Sequence, residues 1–199
     1  MTDAPIRAAT AAEFADVGAL IALAFHHLGP DSYVVPDPAD RPRVMGQFFT
    51  MLVEHAARYG RVDVVDRGGG PEAAAVWFDR TWDAPGLADF QDRVAEFAGP
   101  YIGNFASLDL LAKHEPAEPH WHLHFMAVHP DSQNQGLASE LMRRTHATLD
   151  AAGIPQYLEA TNDDNIRLYR RHGYAPMDPF DIRLPDGTPF YRMWRPAGG

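Results

Sequence analysis

The sequence predicts a mixed α/β domain in which one central sheet is flanked by helices, and three observations carry that reading. Apolar runs rich in β-branched and aromatic residues alternate with segments of helical period along the chain. An early pair of strand-like runs is joined across Gly68, Gly69 and Gly70, and the C-terminal half reads β-α-β-α-β. With 199 residues, no repeat and no linker-like tract, a single domain over 1–199 is expected. A sheet layer covered by helices is the stable packing for such an order.

Each element follows from local patterning. "PIRAA" reads as a short first strand. Thr10 and Glu13 match the T-x-x-E capping box, so a helix opens there with Phe14, Val17, Ile21, Ala24 and Phe25 on one face. The run "LGPDSYVVPDPADRP" is dense in proline and aspartate and is expected to be a loop. A second helix carries Val44, Phe48, Met51, Leu52 and His55. "RVDVVD" and "AAAVWF" are the strands of the glycine-linked hairpin, and residues 84–114 hold one or two helices. "HWHLHFMAV" is the clearest strand. It is followed by a helix over 137–152, the strand "QYLEAT", a short helix "DDNIRLYRRH" and two strands around "GYAPM" and "PFYRMW".

Composition narrows the function. A net charge of −10 argues against a nucleic-acid or anionic-membrane surface and suits a cationic small molecule. Without cysteine there is no disulfide, no thiolate nucleophile and no cysteine–zinc site. "MTDAPIRAAT" has no signal-peptide pattern, and no apolar run reaches the ~20 residues of a membrane helix. A soluble cytoplasmic protein, monomer or homodimer, is expected.

The stretch "VHPDSQNQGLASELM" carries the most chemistry. Pro130 ends a strand, Asp131 and Ser132 suit a turn, and a helix begins after Gly136. A helix N-terminus presents N–H groups without intrahelical partners and a partial positive charge, so it attracts anions. Gly136 lets the backbone come close to an anion, and Ala138 keeps bulk away. "QNQGLA" is therefore a phosphate cradle. It lacks the three glycines of the dinucleotide motif and the Gly-Lys-Ser/Thr of the P-loop.

Gln133, Gly136 and Ala138 resemble the Q/R-x-x-G-x-G/A signature of the GNAT acetyltransferase superfamily. Asn162, Leu168, Tyr169, Gly173 and Tyr174 resemble its second signature, and "FMAVHP" resembles its pantetheine-binding strand. The likeness runs over about residues 5–195 and is closest in appearance to puromycin N-acetyltransferase-like members. It implies the GNAT fold, with a β-splay holding acetyl-coenzyme A as co-substrate. Met126, Ala127 and Val128 would then meet the pantetheine, and the amides of Gln133, Asn134, Gln135, Gly136, Leu137, Ala138 and Ser139 its pyrophosphate. Asn162 and Asn165 would bond the pantetheine amides, with helix capping as their alternative. Tyr169 would protonate the coenzyme A sulfur.

The resemblance implies transfer of an acetyl group to the primary amine of a small molecule, such as an antibiotic or other xenobiotic. Direct attack in a ternary complex is the simplest route, since no thiol or G-x-S-x-G elbow is present. Two residues are candidates for the base. His124, in the row His120, His122 and His124 on one strand face, has an ordinary pKa of ~6.5. Glu159 lies on the neighbouring strand and could act through a water. The histidine row also invites a metal reading, but alternate strand residues lie ~6–7 Å apart, which strains three consecutive ligands. No functional metal is expected. Tyr33, Trp77, Phe78, Asp79 and Trp82 are candidates for an aromatic acceptor pocket with a carboxylate. A protein or peptide N-terminal acetyltransferase, or a non-catalytic acyl-coenzyme A sensor, are the alternatives.

Overall fold

A computed structural model of the chain describes residues 5–198. Strand β1 (Ile6–Ala8) leads into a 3₁₀ turn and helix α1 (Phe14–Phe25). The Glu13 carboxylate accepts hydrogen bonds from the Thr10 N–H at 2.8 Å and the Thr10 hydroxyl at 2.7 Å, as the capping pattern predicts. Helix α1 buries Val17, Leu20 and Ile21 against the long helix α3 (Arg41–Tyr59). Contact between them is close at Gly18, where a Cβ would meet the Thr50 backbone nitrogen at 2.7 Å. Only glycine fits there.

The segment expected to be a loop contains a further helix, α2 (Gly29–Val34), with Pro30 in its first turn. Proline is tolerated there because a first-turn N–H has no helical acceptor to lose. Buried Arg41 then fastens the irregular chain on both sides of α2. Its guanidinium donates to the carbonyls of Val35, His26 and Pro36 at 2.9, 2.5 and 3.0 Å.

The hairpin of β2 (Gly60–Asp66) and β3 (Pro71–Arg80) forms as expected. Residues 84–114 form three short helices where one or two were expected: α4 (Phe90–Ala98), α5 (Ile102–Phe105) and α6 (Asp109–His114), with 3₁₀ turns between them. The C-terminal half consists of β4 (His120–Val128), α7 (Leu137–Ala151), β5 (Gln156–Ala160), α8 (Asp163–Arg171), β6 (Ala175–Arg183) and β7 (Pro189–Arg195). Among the described residues, no helix is long and apolar enough to cross a membrane.

Among the described residues, seven strands make one sheet in the order β1-β2-β3-β4-β5-β7-β6. Every pairing is antiparallel except β4 with β5. That parallel pairing is confined to Trp121 with Gln156 and His122 with Tyr157, after which the strands splay. The β3–β4 ladder also shifts register: Val76 faces Phe125 while Trp77 faces Leu123, leaving His124 as the extra residue of a bulge. Phe125 and Ala127 therefore join the core beneath α1 and α3, whereas Leu123, Met126 and Val128 pack toward α7 and α8. The splay and the bulge together open the middle of the sheet.

Candidate active site

Two spaces meet at the splay. On one side a cleft of about 770 Å³ is lined by Met126, Val128, the loop residues Ser132, Gln133 and Asn134, the start of α7 and one face of α8. On the other a cavity of about 240 Å³ lies among α1, α2, α3, the short helices and the sheet. Phe25, Leu28, Met126, Asn165 and Tyr169 line both spaces. Tyr169 thus stands in a shared wall.

The cleft ends on a turn and a helix start of the kind that attract anions. Asn134 and Gly136 take left-handed backbone conformations, φ 62° and 85°, which fold the loop tightly onto the start of α7. No side chain caps α7, so its first N–H groups are left for a ligand. Gly136, Leu137, Ala138 and Ser139 line the cleft from that end. From α8, Arg167 and Arg171 line it four residues apart. Nothing in the local sequence pattern singles out these two arginines. Their signal, an i, i+4 pair opposite the apolar face of Ile166 and Leu168's neighbour Tyr169, is weak without knowing which face meets the loop. Past the last β4–β5 pair, the β4 edge facing β5 has no strand partner and can bond an extended ligand arm. The Ala127 side chain is in the core, and the Gln135 side chain accepts a hydrogen bond from Arg67 at 2.9 Å, so at these two positions any contact with the cleft is left to the backbone.

Asn162 caps α8, accepting from the Asn165 N–H at 2.9 Å, and still lines the cleft. The Asn165 amide donates to the Thr161 hydroxyl at 3.2 Å. Tyr169 is 7% exposed, and burial raises its phenol above the usual range, so it holds its proton at neutral pH.

The cavity's polar side is a chain of alternating charges. The Arg80 Nε donates to Glu115 Oε1 at 2.8 Å, the same oxygen lies 3.2 Å from His122 Nδ1, and His122 Nε2 lies 2.8 Å from Glu159 Oε2. Burial opposes a charge on His122, but Glu159 and Glu115 outweigh it and hold the imidazole up at about 9. Burial would likewise raise Glu115; His122 and Arg80 outweigh it and hold the carboxyl down at about 2. The second oxygen of Glu159, Oε1, is buried without a partner, and Glu159 lines the cavity.

His124 differs from the expectation of an ordinary imidazole. Burial, followed by the charges of His122 and Arg80, pushes its pKa well below the usual value. It is a weak base. His120, His122 and Glu115 bring their ligand atoms within 4.8 Å of one another, which a metal could use, but the Arg80 guanidinium already occupies Glu115.

The chain matches the model of the acetyltransferase (GNAT) family over residues 67–174, a span that includes the cradle, β4, β5 and α8. The chain belongs to the GNAT acetyltransferase family. Its fold matches a solved structure described as histone acetyltransferase HPA2 and related acetyltransferase from Corynebacterium glutamicum. The two are 25% identical with a TM-score of 0.75, over 98% of this chain and 96% of that one. Arylalkylamine N-acetyltransferase 2 from Aedes aegypti, 12% identical, matches with a TM-score of 0.57 over 98% of this chain and 99% of that chain. The ribosomal-protein-S18-alanine N-acetyltransferase from Escherichia coli, 17% identical, also gives 0.57, over 98% and 94%. The latter two share the fold.

In this GNAT enzyme none of the five residues expected for the acceptor pocket lines the cavity. Trp77 faces the opposite side of the sheet, edge-on to His146 at 6.1 Å. Phe78 is on the cavity side but sits behind His124, with ring centroids 4.9 Å apart. Asp79 holds its own turn through the Thr81 N–H and hydroxyl. Trp82 is 51% exposed beside Tyr59, and the Tyr33 hydroxyl is bonded to Ser107 at 2.9 Å. The walls come instead from α1–α3 and the short helices, chiefly Phe25, Leu28, Met45, Phe48 and Phe105, which the helical pattern marks only as core. Arg80, Glu115 and Asp31 line it as well, and no local motif distinguishes them.

Proposed function

We propose that the enzyme transfers an acetyl group from acetyl-coenzyme A to a primary amine of a small molecule, by direct attack in a ternary complex. The observation that carries the proposal is Tyr169 in a wall shared by a phosphate-suited cleft and a largely apolar cavity. The left-handed Gly136, the uncapped start of α7 and the unpaired β4 edge fit the coenzyme's pyrophosphate and pantetheine. When bound, the coenzyme supplies an acetyl group already activated as a thioester.

The chain's own residues then have distinct tasks. The cavity excludes water and orients the amine. Glu159, whose Oε2 lies 2.8 Å from His122 Nε2, accepts the proton that the amine loses. Tyr169 keeps its proton until a thiolate departs and then donates it. A weakly basic His124 fits a packing role beside Phe78 and Phe125 better than that of the base.

A cavity of about 240 Å³ favours a compact acceptor over an extended peptide, and an apolar one suits an amine with hydrophobic bulk, as in drug-like xenobiotics including amine antibiotics. A thiol-release screen of amine drugs and metabolites tests the reading. Turnover of small amines with none of N-terminal peptides is expected; the reverse pattern, or no thiol release with any amine, overturns it.

A further inference from the structure

We propose that the acceptor carries a second cationic nitrogen, joined to the reacting amine by an apolar body, and that Asp31 binds it. This rests on the acceptor reading above and names the class of amine.

Asp31 lies in α2 directly after Pro30, is 5% exposed and lines the cavity but not the coenzyme cleft. Its Oδ2 is buried with no hydrogen-bond partner. Leaving a buried acceptor unpaired costs free energy, so a carboxyl held this way points to a partner that arrives with a ligand. The nearby cation, Arg41, does not fill that role, because its guanidinium is committed to the carbonyls of His26, Val35 and Pro36. Around Asp31 the walls are apolar, with Leu28, Val34, Met45, Phe48 and Phe105 among them. The other cavity charges are matched, Arg80 and His122 against Glu115 and Glu159. Asp31 and the exposed Asp109 are the carboxyls left over.

Burial pushes the Asp31 carboxyl well above its usual range, against the pull of Arg41. An arriving ammonium offsets that burial cost, because carboxylate and ammonium form a charge-assisted hydrogen bond. A ligand with an apolar end would gain nothing at this position, and the distinction is the basis of the test.

Linear alkyl monoamines and the α,ω-diamines of the same chain length are titrated by calorimetry into protein saturated with coenzyme A. Thiol release with acetyl-coenzyme A is measured in parallel. The best-fitting diamine is expected to bind at least about tenfold tighter than its monoamine, the scale of one hydrogen bond to a charged group. In Asp31→Asn that ratio should fall toward one, with unchanged coenzyme A affinity reporting an intact fold. Equal affinity across each pair in the wild type, or a wild-type preference retained by Asp31→Asn, overturns the proposal; the wild-type comparison decides it even where the variant fails to fold. Should a diamine preference vanish in Asp31→Asn while no amine is acetylated, the Asp31 site stands and the acceptor reading fails. No measurable binding of either series overturns both.

Discussion

His122 Nε2 and Glu159 Oε2 lie 2.8 Å apart at the point where β4 and β5 stop pairing. His122 is the last β4 residue with a β5 partner, so the ion pair marks the apex of the splay. There a buried cation is flanked by two carboxylates, and Glu159 lines the cavity.

This pair makes stability depend on pH. Burial works against the His122 cation, but Glu159 and Glu115 raise its folded-state pKa from 6.5 to about 9. A group raised on folding contributes stability that is fully present below the unfolded value and lost as pH rises through the folded one. The denaturation midpoint is therefore expected to fall between pH 6.5 and about 9. Glu159→Gln should flatten that slope. A wild-type midpoint that is level across the window would contradict the assignment of charge.

Glu159→Gln should also lower kcat by about 10²–10⁴-fold, the usual worth of a positioned base, with coenzyme affinity unchanged. His124→Phe is expected to cost far less. If the His124 variant loses as much as the Glu159 variant with the fold intact, the base has been assigned to the wrong residue.

Tyr169→Phe separates catalysis from packing. Burial is the one cause acting on the phenol, and no described group bonds its hydroxyl, so its removal should leave stability nearly unchanged. The maximal rate should drop by about 10²–10⁴-fold while acetyl-coenzyme A binding persists. Near-full turnover in pre-steady-state measurements, with chemistry limiting, would remove Tyr169 from the mechanism.

Gly136→Asp places a β-carbon at φ 85° and a negative charge at the start of α7. An L-residue in that region costs about 1–2 kcal/mol, and the carboxylate repels phosphate. Coenzyme A affinity should fall severely while circular dichroism reports a folded protein. Unchanged affinity by calorimetry would place the pyrophosphate elsewhere.

Activity is expected to survive exhaustive chelation, and purified protein to carry substoichiometric zinc. Glu115, His120 and His122 converge, yet Arg80 already donates to Glu115 Oε1 at 2.8 Å, and its positive charge beside the group disfavours a cation. Stoichiometric metal by elemental analysis, with activity lost on chelation and restored by zinc, would reverse this assignment.

The sequence by itself determined what local forces decide. The Thr10–Glu13 cap, the helix beginning after Gly136 and the amphipathic face of α3 each depend on residues within a turn or two of one another, and period and capping chemistry make them readable. The fold class follows from those elements in order. Even the short α2 was obscured only because proline and aspartate signal both loops and helix starts.

Only the tertiary structure decided which groups converge. Period two shows that strand neighbours alternate, but not which face meets which layer, nor where a bulge resets the phase. The extra residue at His124 is such a reset, and Trp77 fell on the opposite side of the sheet from the cavity. His122 and Glu159 stand 37 residues apart in the chain, and Asp31 is buried by helices that follow it. Charge pairing and desolvation act through space. A carboxylate's neighbours, and hence its chemistry, are therefore set by packing rather than by its place in the sequence.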